Sequence, residues 1–303
     1  MQSSIGVVTV TFNSGEVIEP FLRSVLSQTY QDFYLYVVDN ASVDSTLDRI
    51  AAFQDRRIHV IASPENLGVA AGNNKGIAAS LATGCGYVLL LNNDTEFGEN
   101  TFKTLLAELD RHSADMVVPK IVYHDRPDIL WAAGGYFIEA IAQTHHYGDG
   151  HRNGLRFQRS RRVRYSPTTC TLMRREVFRK IGLMDENFFI YYDDTDFCLR
   201  AARVGLAQFY TPAAQVSHKV SSLTNKEPAL SLHYKSRNQV YFAMKNYSPW
   251  LWPGLLLGIQ LYYLGKIFRL LEPLPTYLQR QRSFVEGIRF YWRVRQKKHG
   301  VRT

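Results

Sequence analysis

Over the first third of the chain, apolar residues fall in short unbroken runs separated by stretches of helical period. Ile5–Thr11 (IGVVTVT), Tyr34–Val38 (YLYVV), Ile58–Ala62 and Tyr87–Leu91 (YVLLL) are aliphatic or aromatic runs bounded by polar turns. Runs of this length without polar alternation predict strands buried on both faces. Between them, Glu16–Gln28 sets Val17, Phe21, Leu22, Val25 and Leu26 on one helical face. Ser45–Phe53 predicts a short helix, and Gly72–Ala82 a helix rich in small residues. This alternation predicts an α/β domain built on a parallel, helix-covered sheet. Such sheets bind ligands beyond the carboxyl ends of their strands. Here those ends carry Thr11-Phe12-Asn13, Asp39-Asn40 and Asn92-Asn93-Asp94. No GxGxxG follows the first run and no GxxxxGK[ST] occurs anywhere, which argues against dinucleotide and P-loop sites.

The second half opens at Met116–Pro119 and passes through a loop-rich stretch, Tyr123–Arg164, with Gly134-Gly135 and many His and Arg. Arg174–Ile181 predicts a helix stopped by Gly182, and Asp194–Val204 another stopped by Gly205. Three groups in this framework carry chemistry. Asp94, at a strand end near Asp39, suits a hard divalent cation with oxygen ligands, which would neutralise a diphosphate. The same Asn-Asn-Asp-Thr also reads as a turn before a helix near Thr101. Asp193 and Asp194 follow the aromatic run Phe188, Phe189, Tyr191, Tyr192. Adjacent carboxylates in partly apolar surroundings push one pKa up, as a general base requires. Helix capping is the other reading of that pair, and Asp196 reads as serving the helix dipole. His218 completes an oxygen/nitrogen metal shell if the fold returns it to Asp94; otherwise it is an ordinary histidine.

Composition sharpens the picture. The 303 residues are 46% hydrophobic and 21% charged, enough for a large core and too ordered a mixture for a disordered chain. Cys85, Cys170 and Cys198 fit neither a disulfide scaffold nor a zinc knuckle. The start, MQSSIGVVTVTF, lacks the pattern of a signal peptide. The net charge of +9 is concentrated: from Lys266 onward ten basic residues face only Glu272 and Glu286, a surplus of +8. A second basic cluster runs from Arg152 to Arg164. Nucleic acid, anionic lipid or a phosphate-bearing substrate would each answer such charge. Before the tail lies an uncharged stretch, Asn246–Gly265. A membrane span needs about 20 apolar residues, and Pro249, Pro253 and Gln260 shorten this one. With Trp250, Trp252, Tyr262 and Tyr263 at its ends, it reads best as an interfacial segment followed by basic amphipathic helices. A packed C-terminal helix and a true span are the alternatives.

Five segments resemble, in order and spacing, the inverting glycosyltransferases of family 2, in particular the rhamnosyltransferase-like group that builds bacterial surface polysaccharides. They are VVTVTFNS at 7–14, VVDNASVDST at 37–46, ENLGVAAGNNKGI at 65–77, LLLNNDTEF at 89–97 and the stretch from Arg174 to Gly205. The resemblance implies a GT-A fold over 1–225, with a nucleotide-sugar half (1–115) and an acceptor half (116–225). A helical, basic, membrane-associating region would follow over 226–303. It implies Mg2+ or Mn2+ on Asp94 and His218, and Asp194 as the base, with Asp193 as the other choice. Thr11, Asn13, Asp39, Asn40, Asn66, Gly68, Asn74, Lys75 and Asn93 would line the nucleotide-sugar site. The expected donor is dTDP-L-rhamnose, with UDP- and GDP-sugars as alternatives. The expected acceptor is a saccharide on polyprenyl diphosphate at the inner face of the cell membrane, met by a cytoplasmic enzyme lying on anionic lipid. The tail would pack or pair with a second copy as well as bind lipid.

The sequence departs from the family pattern at Asn92, where the metal motif often has aspartate, at Asp193-Asp194, which replaces Glu-Asp, and at Thr168-Thr169-Cys170 in the acceptor loop. Two other functions compete. A nucleotidyltransferase would need a basic, Gly-rich loop after the first strand, where this chain has TFNSGEV. A nucleic-acid binder would use the tail but has no need of carboxylates at a ligand crevice, which repel phosphates unless a metal intervenes. No nucleic-acid partner is expected.

Overall fold

The computed structural model describes residues 4–220 and 228–298. The expected strands β1 (Ile5–Thr11), β2 (Phe33–Asp39), β3 (Ile58–Ala62) and β4 (Tyr87–Leu91) all form. They pair in parallel, in the order β4-β1-β2-β3. Helices α1 (Ile18–Leu26), α2 (Thr46–Ala51) and α3 (Gly68–Ala82) cross between them. Helix α3 starts at Gly68 rather than Gly72, because the Asn66 side chain accepts the Gly68 N–H and turns the chain into the helix earlier.

The sheet then changes character. After β5 (Thr95–Phe97) and α4 (Thr101–Arg111), the chain adds β6 (Met116–Tyr123), β11 (Cys170–Arg174) and β12 (Gln208–His218). Strand β11 lies antiparallel between β4 and β6, and β12 runs parallel to β6, so the ten-stranded sheet is mixed. The stretch expected to be loop-rich holds four short strands: β7 (Leu130–Ala132), β8 (Gly135–Ile138), β9 (Gln143–His146) and β10 (Arg161–Val163). Helices α5 (Arg175–Ile181) and α6 (Asp193–Arg203) follow β11 and precede β12.

Three helices follow: α7 (Pro228–Asn246), α8 (Trp252–Phe268) and α9 (Leu274–Lys298). The first of them is part of the main core. Val240, Tyr241, Phe242, Ala243 and Met244 pack in one apolar cluster with Val8 and Leu90 of the sheet and Phe197 of α6. Helix α8 buries Leu255, Ile259 and Tyr263, and Gly258 lies against the Ala140 carbonyl, where a Cβ would come within 2.4 Å. Its other face presents Leu257, Leu261 and Phe268 to solvent; the turn before it adds Trp250 and Leu251, and the turn into α9 adds Leu270, Leu271 and Leu274. The stretch expected as interfacial is thus a packed helix on one side and an exposed apolar ridge on the other. Among the described residues no helix is long and apolar enough to cross a membrane. Arg302 of the basic tail lies outside the described residues.

Candidate active site

The carboxyl ends of β1, β2 and β4 meet in one polar crevice. Asp39 is buried there. Its Oδ1 accepts the hydroxyls of Thr11 (2.8 Å) and Ser42 (2.6 Å), and its Oδ2 accepts the Ser42 N–H (3.0 Å). Asn13, with φ +49°, accepts the Val43 N–H at 2.9 Å, a backbone state that asparagine tolerates better than most residues. Asn93 donates to the Val10 carbonyl (2.8 Å) and the Ser14 hydroxyl (2.9 Å). Asn40 donates to the Gly68 carbonyl at 3.0 Å, while its own Oδ1 is buried with no hydrogen-bond partner among the described residues. A buried acceptor of this kind costs free energy unless a ligand completes it. Thr11, Asn13, Asp39, Asn40 and Asn93 are therefore gathered at one place.

The rest of the 65–77 segment does other work. The Asn74 amide faces the segment after α5: it accepts the Met184 N–H (2.9 Å) and donates to the Met184 carbonyl (2.9 Å) and Glu186 (2.9 Å). That occupies it fully as a clasp and turns it away from the strand ends. Gly68 (φ +79°) sits where an added Cβ would come within 2.4 Å of the Phe189 carbonyl. Lys75 is exposed beside the end of β3, its Nζ 3.4 Å from the Ser63 hydroxyl.

Asp94 and His218 are brought together across 124 residues of chain. Strand β12 pairs antiparallel with β5 in a register that sets His218 opposite Thr95. The Lys219 N–H donates to the Asp94 carbonyl at 3.0 Å. Asp94 Oδ1 then lies 3.2 Å from His218 Nε2, both side chains largely buried. His218 Nδ1 is also buried and has no hydrogen-bond partner among the described residues. One carboxylate and one imidazole suit Mg2+ or Mn2+, ions that take part of their shell from substrate phosphate and water. No group of three or more such ligands occurs among the described residues, so a cation here would depend on donor oxygens to complete its shell.

The acidic pair opens α6. Asp193 is buried, and burial together with the charge of Asp194 pushes its carboxyl up to about 8. Burial also raises Asp194, against hydrogen bonds from Tyr165 and Thr195 that favour its charged form. The Tyr165 hydroxyl donates to Asp194 Oδ2 at 2.6 Å, and the Thr195 N–H donates to Oδ1 at 2.6 Å. Burial, then the Asp194 charge, keeps the Tyr165 phenol protonated well past its usual range. An aromatic line connects this pair to Asp94 and His218. Tyr165 stacks on His146 (5.6 Å between centroids), and Trp131 meets both His146 (4.3 Å) and His218 (4.7 Å) edge-on. Burial lowers His146 to about 4, so it stays neutral. The two acidic centres expected from sequence thus lie at opposite ends of one aromatic wall.

Sequence reasoning missed Tyr165, Trp131 and His146, which lie on short strands and loops with no periodic signal. It also missed Arg237 and Asn238 on α7, both buried, which reach the loop before Asp193. The signal was available: four polar residues in a row, Ser236 to Gln239, directly precede the apolar Val240–Met244.

A family model described as Glycosyl transferase family 2 matches residues 6–182. The chain belongs to glycosyl transferase family 2. The match takes in the whole crevice and stops before Asp193. The dTDP-rhamnosyl transferase RfbF of Shigella flexneri is 26% identical over 281 residues, covering 86% of this chain and 85% of its own length. An N-acetylglucosaminyl-diphospho-decaprenol L-rhamnosyltransferase of Mycobacterium tuberculosis is 26% identical over 268 residues, covering 82% of this chain and 87% of its own. The mannosyltransferase PcManGT from Pyrobaculum calidifontis, solved with GDP-Man and Mn2+, superposes with a TM-score of 0.59 at 14% identity, over 96% of this chain and 88% of that one. This glycosyltransferase therefore has the α/β, GT-A-like fold that the resemblance implied, with a mixed sheet in place of a wholly parallel one.

Proposed function

We propose that this family 2 glycosyltransferase transfers L-rhamnose from dTDP-L-rhamnose, with inversion, to a saccharide carried on polyprenyl diphosphate, in assembly of a bacterial surface polysaccharide. The observation that carries the reading is the convergence of Asp94 and His218 at one end of an aromatic wall and Asp194 at the other. The donor and the lipid-linked acceptor follow the relatives' activities. A divalent cation held by Asp94 and His218 would offset the charge of the donor diphosphate as it leaves. Thr11, Asn13, Asp39, Asn40 and Asn93 would hold the nucleotide, with Lys75 at the rim. Asn66 and Gly68 would shape that wall by starting α3.

Asp194 takes the proton from the acceptor hydroxyl. The hydroxyl oxygen forms its bond to the anomeric carbon as the bond from that carbon to the diphosphate oxygen breaks, in one displacement. Tyr165 keeps the Asp194 carboxylate oriented, and the buried pair tunes its basicity towards neutral pH. Asp193 stays protonated, which leaves Asp194 as the base. The exposed ridge of Trp250, Leu257, Leu261 and Phe268, together with the net positive charge of the chain after Lys266, would seat the enzyme on anionic lipid at the inner face of the membrane, where such acceptors are anchored.

Calorimetric titration of dTDP, UDP and GDP, with and without Mn2+, into wild type and Asp94→Ala tests this. Metal-dependent binding of dTDP that the substitution abolishes is the expected result. Tight binding of UDP or GDP in preference to dTDP would overturn the donor, and binding indifferent to both Mn2+ and Asp94 would overturn the metal site.

A further inference from the structure

The loop that delivers the acidic pair is strained. Phe189 (φ +58°), Tyr191 (φ +63°) and Tyr192 (φ +70°) are all left-handed and none is glycine. Such residues are costly and persist only where their surroundings over-determine them. The determining groups come from α7. Asn238 is fully buried, and the two hydrogens of its amide are shared among the carbonyls of Phe188 (2.8 Å), Ile190 (2.8 Å) and Tyr191 (2.9 Å). Its Oδ1 is pinned by Arg237, which donates from Nε (2.9 Å) and Nη2 (2.7 Å). Arg237 also donates to the Asn187 carbonyl at 3.1 Å and lies between the rings of Tyr234 and Phe290. The far end of α7 holds the other side of the pair: Lys245 reaches Asp196 and Asp185, each at 2.7 Å, and Asn246 donates to Asp196 at 2.8 Å. The segment carrying Asp193 and Asp194 is thus gripped on both flanks by one helix.

We propose that Arg237 and Asn238 are positioning residues for glycosyl transfer: they hold the strained 188–192 loop so that the Asp194 carboxylate meets Tyr165 and the acceptor hydroxyl. The assignment rests on Asp194 as base. A purely structural helix contact would not need a buried amide spread over three carbonyls of a loop that precedes the acidic pair. Loss of the amide lets the loop relax and moves the carboxylate directly; the nucleotide crevice is held by its own bonds among Thr11, Asp39, Ser42 and Asn93 and meets the loop only where Phe189 touches the start of α3.

The test uses the full chain with Asn238→Ala and Arg237→Gln. We expect Asn238→Ala to lower kcat at least about tenfold, since small misplacements of a reacting group have effects of that size. The Kd for nucleotide and the donor KM should stay within about twofold. Arg237→Gln, which leaves the amide in place but unbraced, should act in the same direction and less strongly, and it decides the matter if Asn238→Ala does not fold. A kcat of the folded variants within twofold of wild type would overturn the proposal, as would equal losses in kcat and nucleotide affinity. Normal turnover in Asp194→Asn together with lost turnover in Asn238→Ala would shift the base to Asp193 and keep the positioning role, so the two readings fail separately.

Discussion

Asp193→Asn should stabilise this enzyme at alkaline pH while leaving it close to wild type near pH 4–5. The native carboxyl sits at about 8 instead of its ordinary 3.8, because burial and then the Asp194 charge oppose its ionisation. Across that window the folded chain holds a proton that the unfolded chain has released. Stability therefore falls as pH rises from about 4 to about 8, and the full penalty stands above about 8. At 1.36 kcal/mol for each tenfold change in proton affinity, the ceiling is about 6 kcal/mol. Asp194 shares the same buried site, so the pair divides the effect between two carboxyls, and a gain of about 1–3 kcal/mol at pH 8.5 is expected. An amide has nearly the shape of the protonated carboxyl and no charge to bury. Asp194, Asp196, Tyr165 and Tyr192 surround the pair, and none is altered. Thermal unfolding of both proteins at pH 5 and pH 8.5 reads the difference directly. A stability gap that fails to widen with pH, or that favours wild type at pH 8.5, would refute the reasoning and with it the assignment of the proton to Asp193.

Asp194→Asn should keep nucleotide affinity and lose about 10²–10⁴ in kcat, the usual contribution of a positioned base; a single-turnover assay measures it. Gly68→Ala places a Cβ 2.4 Å from the Phe189 carbonyl in a left-handed backbone. It should cost about 2–4 kcal/mol in chemical unfolding and reduce transfer, because the backbone it meets belongs to the loop before the base. Leu257→Glu with Leu261→Glu alters only exposed positions, so unfolding should move by less than about 0.5 kcal/mol. Flotation with anionic liposomes should nonetheless be lost, and retained flotation would remove the α8 ridge as the lipid contact.

The parallel half was legible because β1, β2 and β4 are dominated by apolar residues, and a doubly covered strand leaves no other place for them; β3, at the sheet edge, interrupts its run with His59 and stays partly exposed. The polar ends of those runs located the crevice for the same reason. Asp94 and His218 were joined beforehand only by the resemblance: what brings them together is the register of β12 on β5, a pairing across the chain that periodicity does not encode. The short strands between Tyr123 and Arg164 span three or four residues each, too few to show alternation. In α8, apolar residues occupy both faces, so the pattern does not separate Ile259 in the core from Leu261 in solvent. Asn74 misled for a different reason. A polar side chain in a motif reads as a ligand contact, yet its amide is matched to the Met184 backbone, which no local signal reveals.

The grip of α7 on the acidic pair bears on how freely such enzymes can be recombined. The family model ends at residue 182, whereas the support of Asp193 and Asp194 runs through residues 237 to 246. A chimera that exchanges everything after the matched region, in order to change where the enzyme docks, would also exchange the scaffold of its base. Grafting at Tyr247 keeps the hydrogen bonds and ion pairs of residues 237 to 246 to this segment with their original partner, provided that the graft retains Phe290, which packs on Arg237.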